Sequence, residues 1–371
     1  MAEKSALQQK LDELQEQYSK TKYNKATNKY LSLLRAKMAK VRRAMAEKKG
    51  KKGTGFGIRK SGDATVVLVG FPNAGKSSLL RQLTGAESKV ADYAFTTLDV
   101  IPGMLDYNGA RIQVLDIPGL IEGAHVGKGA GTQVASVIRI ADLLLFVVDA
   151  TMPEQVYTLV EELSLLDIKV NRERPKVMIE EKRSGGLLVE SNGHKVPSKE
   201  EVAAVAHEVG VYNGKAIFYS DMSIDELIAV LLENAVYVKG IVALNKIDLL
   251  SASKAEQLRK ELQSKLKTQV VPVSAAKDTG IDALKAILFD NLGLVRIFLK
   301  PKEGEADLSR PFVLKKGGSV IDLAKGLHSK AAKNLKCAYV TGKSAKFSNQ
   351  KVGGEHVLQD GDMVTLIYEK F

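Results

Sequence analysis

The stretch GFPNAGKSS, residues 70–78, follows the apolar run ATVVLV and precedes LLRQLTG. A glycine, four free positions and then Gly-Lys-Ser is a spacing suited to holding phosphate. A glycine-rich turn between a strand and a helix aims several backbone N–H groups at one point, and the helix N-terminus adds the positive end of its dipole. Gly70 and Gly75 permit the turn, while Ala74, Lys76, Ser77 and Ser78 complete the cradle with them. The Lys76 ammonium can neutralise charge on β- and γ-phosphates, and the Ser77 hydroxyl can ligate magnesium. The amide oxygen of Asn73 falls close to the expected β/γ bridge, where it can help hold a monovalent cation. A turn of this kind also occurs as plain structure, so its meaning depends on the motifs further along the chain.

Two further segments supply metal ligands. After the strand-like ARIQVL comes DIPG, in which Asp116 stands at a strand end where it can hold the magnesium shell and Gly119 offers an N–H to a γ-phosphate. Between these motifs, AFTTLDV presents Thr96 and Thr97, and Thr97 is the preferred hydroxyl for the same metal. A threonine pair in a strand is often structural, so this reading leans on its neighbours.

The base is selected by NKID, residues 245–248, at the end of GIVAL. A carboxylate at Asp248 can accept two hydrogen bonds from the ring N–H and exocyclic amine of guanine, a donor pair that adenine lacks. Lys246 can lie along the base plane, and Asn245 joins the site from the strand end. Ser274, Ala275 and Ala276, in SAAK after the next strand, can supply backbone N–H to the guanine oxygen. Hydrogen-bond matching of this kind discriminates by roughly 10⁴ or more, so the site reads as one for GTP and GDP. The fragments fall in order, each at the C-terminal end of a strand, where ligands bind open α/β sheets.

The chemistry of hydrolysis is less complete. The expected catalytic set is Lys76, Thr97, Gly119 and Asn73, but the residue after Gly119 is Leu120, where many GTPases carry a water-positioning glutamine. Leucine cannot orient water, so slow intrinsic turnover is expected, with water positioned by backbone, an ion, another side chain or a partner. The glycine-rich GLIEGAHVGKGAG should become ordered by a γ-phosphate. His125 within it reads as a surface or packing residue rather than a base.

The elements that must position these groups are set by periodicity. Residues 1–60 form a basic helical segment with its linker: Leu7, Leu11, Leu14 and Tyr18, then Leu31, Leu34, Met38, Val41 and Met45, recur at helical spacing. Their stripes need a partner, which can be the rest of the chain, the other helix or another molecule. Residues 61–160 and 238–293 alternate strands and helices as a parallel α/β sheet requires, with strands ATVVLVG, ARIQVLD, ADLLLFVVD, GIVALN and TQVVPVS. About 90 residues separate two strands that one crossover helix would normally join, so residues 161–237 read as an inserted α+β subdomain. In it, KVMIEEKRSGGLLVES suggests a hairpin, and Ser198 with Glu201 and Ser223 with Glu226 suggest capping boxes opening two helices. Residues 294–371, with two strands, a helix and two more strands, suggest a ubiquitin-like roll.

Composition limits the alternatives. The 371 residues carry a formal net charge of +12, and residues 1–60 hold the whole of it. The basic excess of the C-terminal segment is balanced by an acidic middle, so basic ends flank an acidic centre, as binding of a polyanion would use. The N-terminus lacks the apolar core of a signal peptide, and no uninterrupted apolar run approaches a membrane span. One cysteine, Cys337, excludes a disulfide framework. A cytoplasmic chain without membrane contact is expected.

Taken together, GFPNAGKS, AFTTLDVIPG, DIPGLIEGAHVGKGAG and NKID resemble the Obg-related class of translation GTPases. The basic helical N-terminus, the insertion before NKID and the C-terminal segment running from LVRIFLKPKEG to QKVGGEHVLQDGDMVTL are similar, over essentially the whole chain, to the DRG family of developmentally regulated GTP-binding proteins. The resemblance implies a P-loop GTPase domain with a ribosomal-protein-like insertion, a TGS domain at residues 295–371, and association with ribosome or RNA. It also implies that a protein activator or stabiliser can exist. Asn73 stands where eukaryotic members tend to have serine; in related GTPases asparagine there accompanies potassium-stimulated hydrolysis. Leu120 fits the class. A GTP-hydrolysing switch on the ribosome is the leading expectation, and a nucleotide-dependent binding module with incidental hydrolysis is the alternative. TGS domains also occur in tRNA-linked enzymes, but no synthetase site or His-Asp metal cluster is visible.

Overall fold

The structure, a computed structural model, describes residues 6–22, 24, 27–51, 60–85, 100–117, 134, 136–233, 235–301, 303–328 and 331–369. The chain divides into two compact units, Met1–Gly57 with Leu163–Tyr237 and Ile58–Glu162 with Val238–Phe371.

In the first unit, helices Ala6–Lys20 and Asn28–Lys51 pack on each other. Leu11 and Leu14 meet Leu34, Met38 and Val41, with Leu7, Tyr18 and Met45 at the fringe. Each apolar stripe thus has the other helix as a partner. The second helix has another buried side as well. Ala36, fully buried, enters the core of the insertion with Leu187, Val202, Val205, Phe218 and Leu227. One turn either way on that side, Ser32 Oγ donates to Glu201 at 3.3 Å and Lys40 pairs with Glu208. Arg43 donates to the Leu232 carbonyl at 2.6 Å. Small side chains at 32 and 36, spaced i and i+4, let the helices approach.

Both capping boxes form, at Ser198 with Glu201 and at Ser223 with Glu226. The expected hairpin does not. Strands Val177–Glu181 and Leu187–Glu190 both pair with Gly214–Phe218, which lies between them, antiparallel to the first and parallel to the second. The physical reason is local: Gly186 N–H donates to the Asn213 side chain and Gly214 N–H to the Gly186 carbonyl. A Cβ on Gly214 would strike the Glu180 carbonyl, so the central strand can sit this close only with glycine.

In the second unit, six strands run in the order Val270–Pro272, Val236–Asn245, Leu143–Asp149, Ala64–Val69, Ala110–Asp116 and Ile101–Tyr107. The first five are parallel, and Ile101–Tyr107 is an antiparallel edge. This departs from a wholly parallel reading. Pro102 and Gly103 hid the strand, and an edge is where proline is tolerated. Ala64–Val69 is buried at every position, as a central strand covered on both faces must be. Helix Lys76–Thr84 buries Leu79, Leu80 and Leu83 against it, each worth about 1.5–3 kcal/mol.

The C-terminal roll has one more strand than expected. Its order is Phe312–Lys315, Leu294–Leu299, Met363–Tyr368, Leu335–Thr341 and Gln350–Val352, packed on helix Val320–Leu327. It is fastened to the larger sheet: Leu294 and Val313 join that core, and Lys315 and Lys60 both pair with the mostly buried Asp142. No helix among the described residues is long and apolar enough to cross a membrane.

Candidate functional site

The turn at residues 70–75 joins strand Ala64–Val69 to helix Lys76–Thr84. Its glycines are required by their neighbours in the fold. A Cβ on Gly70 would meet the Val147 carbonyl, and one on Gly75, at φ +93°, would meet the Asn245 amide. Asn73 also adopts positive φ, +62°, which asparagine tolerates better than most residues, and it is exposed. Gly75 caps the helix with no side-chain hydrogen bond, so the first-turn N–H groups are not claimed by a cap. Lys76, 8% exposed, donates to the Gly70 and Phe71 carbonyls at 2.9 and 3.0 Å. Burial pushes its pKa below the ordinary lysine value, and the Asp116 charge opposes this in part. Ser78 is exposed on the first turn of the helix.

Asp116 ends its strand beside the turn, in register with Leu68. Ser77 Oγ donates to its Oδ2 at 2.7 Å. The other oxygen, Oδ1, is buried and has no hydrogen-bond partner among the described residues. An orphaned carboxylate oxygen costs several kcal/mol unless something positive reaches it. A hydroxyl and a carboxylate side by side at the mouth of an anion-binding turn are a donor set for a hard cation such as magnesium.

The residues expected to recognise the base are brought together from three segments. Asn245, 2% exposed, donates from Nδ2 to the Ala74 carbonyl at 2.9 Å and accepts from Ala275 N–H at 3.0 Å. Ser274 Oγ donates to Asp248 Oδ1 at 2.6 Å, which holds the Asp248 carboxyl below its ordinary pKa. Backbone N–H groups differ from expectation. Ser274 N–H is taken by the Thr279 carbonyl and Ala275 N–H by Asn245, so Ser274 serves through its hydroxyl. Ala276 is exposed at the turn.

Two residues that sequence reasoning missed belong to this cluster. Gln82 donates from Nε2 to the Ala275 carbonyl at 3.0 Å, so Ala275 is held from both sides. Asp149 pairs with Lys246 at 2.7 Å. The available signal for Asp149 was its place at the end of ADLLLFVVD, level with Asn245. Thr97 and Gly119, with Thr96, Leu120 and His125, lie outside the described residues.

Residues 65–182 match the family model described as 50S ribosome-binding GTPase, residues 184–294 the C-terminal region of that domain, and residues 295–368 the TGS domain. An uncharacterized GTP-binding protein of Methanocaldococcus jannaschii is 38% identical over 98% of this chain and 93% of its own length. Developmentally-regulated GTP-binding protein 2 of Homo sapiens is 37% identical over 97% of this chain and 98% of its own. Among solved structures, the Schizosaccharomyces pombe YchF GTPase is similar with a TM-score of 0.46 at 18% identity, covering 83% of this chain and 99% of that one.

Proposed function

Because the chain belongs to the family of developmentally regulated GTP-binding proteins, P-loop GTPases with a TGS domain, we propose that it is a ribosome- or RNA-associated switch that hydrolyses GTP slowly. One observation carries the reading: the buried Oδ1 of Asp116, without a hydrogen-bond partner among the described residues, beside the Ser77 hydroxyl and a helix N-terminus with no side-chain cap. A cation with a polyphosphate satisfies all three at once.

Ser77 and Asp116 would hold magnesium, with Thr97 as a further ligand; the ion would neutralise charge on the phosphates. Lys76, Ser78 and the backbone from Asn73 to Ser77 would cradle the phosphates, and Gly119 would meet the γ-phosphate. Asp248, kept ionised by Ser274, would accept from guanine, with Lys246 along the ring and Ala276, next to the Ala275 amide that Asn245 holds, at its oxygen. Asn73, exposed on its left-handed backbone, would help bind potassium and so stimulate hydrolysis. The net charge of residues 1–60 supports contact with RNA phosphates, and a family model described as ribosome-binding points to the ribosome. Leu120 in place of a water-positioning residue favours dependence on an activating protein or on the ribosome. It also supports a second reading, a nucleotide-dependent RNA-binding module with incidental hydrolysis.

The test is the GTP hydrolysis rate in potassium and in sodium, with and without purified ribosomes, using Lys76→Ala as the blank. Ribosome stimulation is expected. Slow turnover unchanged by ribosomes, with ribosome binding retained by Lys76→Ala, would favour the module. Equal rates in the two salts would remove the potassium role of Asn73.

A further inference from the structure

Strands Leu143–Asp149 and Val236–Asn245 are parallel neighbours that end level, Asp149 paired with Asn245. Lys246, the next residue, leaves the sheet through a left-handed backbone at φ +63°. Its Nζ lies 2.7 Å from Asp149 Oδ2. The other oxygen of that carboxylate is held independently, by the N–H and the hydroxyl of Thr151 at 2.9 and 2.7 Å. Asp149 is therefore fixed at both oxygens, by its own loop on one side and by the base-recognition segment on the other.

We propose that Asp149 is a positioning residue for guanine recognition: anchored by Thr151, it holds the Lys246 ammonium so that the methylene stem lies ready along the face of the ring bound by Asp248. The inference rests on reading residues 245–248 as the base site. A lysine has four rotatable side-chain bonds, and ordering them at the moment of binding subtracts from affinity. A fixed carboxylate orders them beforehand. Asp149 suits this role because its side chain is only 14% exposed while that of Lys246 retains 34%, which leaves the lysine a face open to a ligand. The carboxylate also stays charged. Burial pushes its pKa up, but Lys246 and Thr151 outweigh burial and leave it below the ordinary aspartate value.

The test uses the full chain, GDP titration and steady-state GTP hydrolysis. Asp149→Asn should raise the Kd for GDP and the KM for GTP by about twofold to fivefold, the range of a partly exposed ion pair, with a smaller change in kcat. In a Lys246→Ala background the same substitution should cost nothing further, because Asp149 acts through that lysine. Asp149→Glu should recover part of the loss. Wild-type affinity in Asp149→Asn, or a full additional loss in the Lys246→Ala background, would overturn the proposal. So would a fall in melting temperature equal in both backgrounds with no change in Kd. A wild-type chain that does not bind GDP would instead overturn the base-site reading itself.

Discussion

Asn245→Ala should damage the protein before any nucleotide is added. The side chain is buried and bridges two loops distant in sequence, donating to the Ala74 carbonyl and accepting from Ala275 N–H. Truncation leaves both backbone groups behind. Ala74 is 2% exposed and Ala275 5%, so neither group gains water easily. Each unsatisfied buried polar group costs about 1–3 kcal/mol, and partial relaxation of the exposed Ala276 turn should absorb some of this. The expected net loss is about 2–4 kcal/mol. At about 2–4 °C per kcal/mol for a domain of this size, the nucleotide-free protein should melt roughly 4–16 °C lower. Amide exchange at Ala275 should speed up as its acceptor disappears. Asn245→Asp keeps an acceptor for Ala275 but sets an oxygen against the Ala74 carbonyl, so it should also destabilise while protecting Ala275 better. The assay is thermal unfolding of the apo chain with hydrogen exchange at that amide. If apo Asn245→Ala melts at the wild-type temperature and only GDP affinity falls, the residue acts on ligand alone and the bridging role is refuted.

Asp248→Asn should weaken GTP binding by roughly a hundredfold or more and relax rejection of xanthine nucleotides; competition titration that finds guanine preference unchanged would refute the base assignment. Ser274 holds the Asp248 pKa down. The ionised carboxylate's contribution is thus present above the ordinary value of 3.8 and lost as pH falls through the lower folded value. Ser274→Ala should move the acid loss of GDP affinity to higher pH, and coincident profiles for the two proteins would count against the hydrogen bond. Deleting the N-terminal helices would strip Ala36 from the insertion's core, so charge reversal is the cleaner probe. Glutamate at the exposed Lys10, Lys22 and Lys29 should weaken ribosomal RNA binding and flatten its salt dependence while sparing GDP affinity; unchanged RNA binding would dismiss the role of that charge.

The sequence by itself determined the local devices. The phosphate turn is legible because its chemistry depends on covalent spacing: two glycines, a lysine and a serine in one strand-to-helix connection. The capping boxes at Ser198 and Ser223 are legible for the same reason, since residues three apart set their geometry. The order of the nucleotide motifs could be read because each closes a strong apolar strand. Tertiary structure decided whatever depends on which strands become neighbours. Gly214–Phe218 displaced the expected hairpin by inserting between its arms, and Ile101–Tyr107 became an edge strand despite Pro102. Ala36 carries no local signal that separates it from other small helical residues, and only the packing of the insertion buries it. Asp149 meets Lys246 from 97 residues away, and Gln82 meets Ala275 from 193. A hydrogen bond or ion pair acts over about 3 Å, so partners this remote along the chain have no periodicity linking them. Only the sheet order, settled by burying apolar strands on both faces, brings them within that reach.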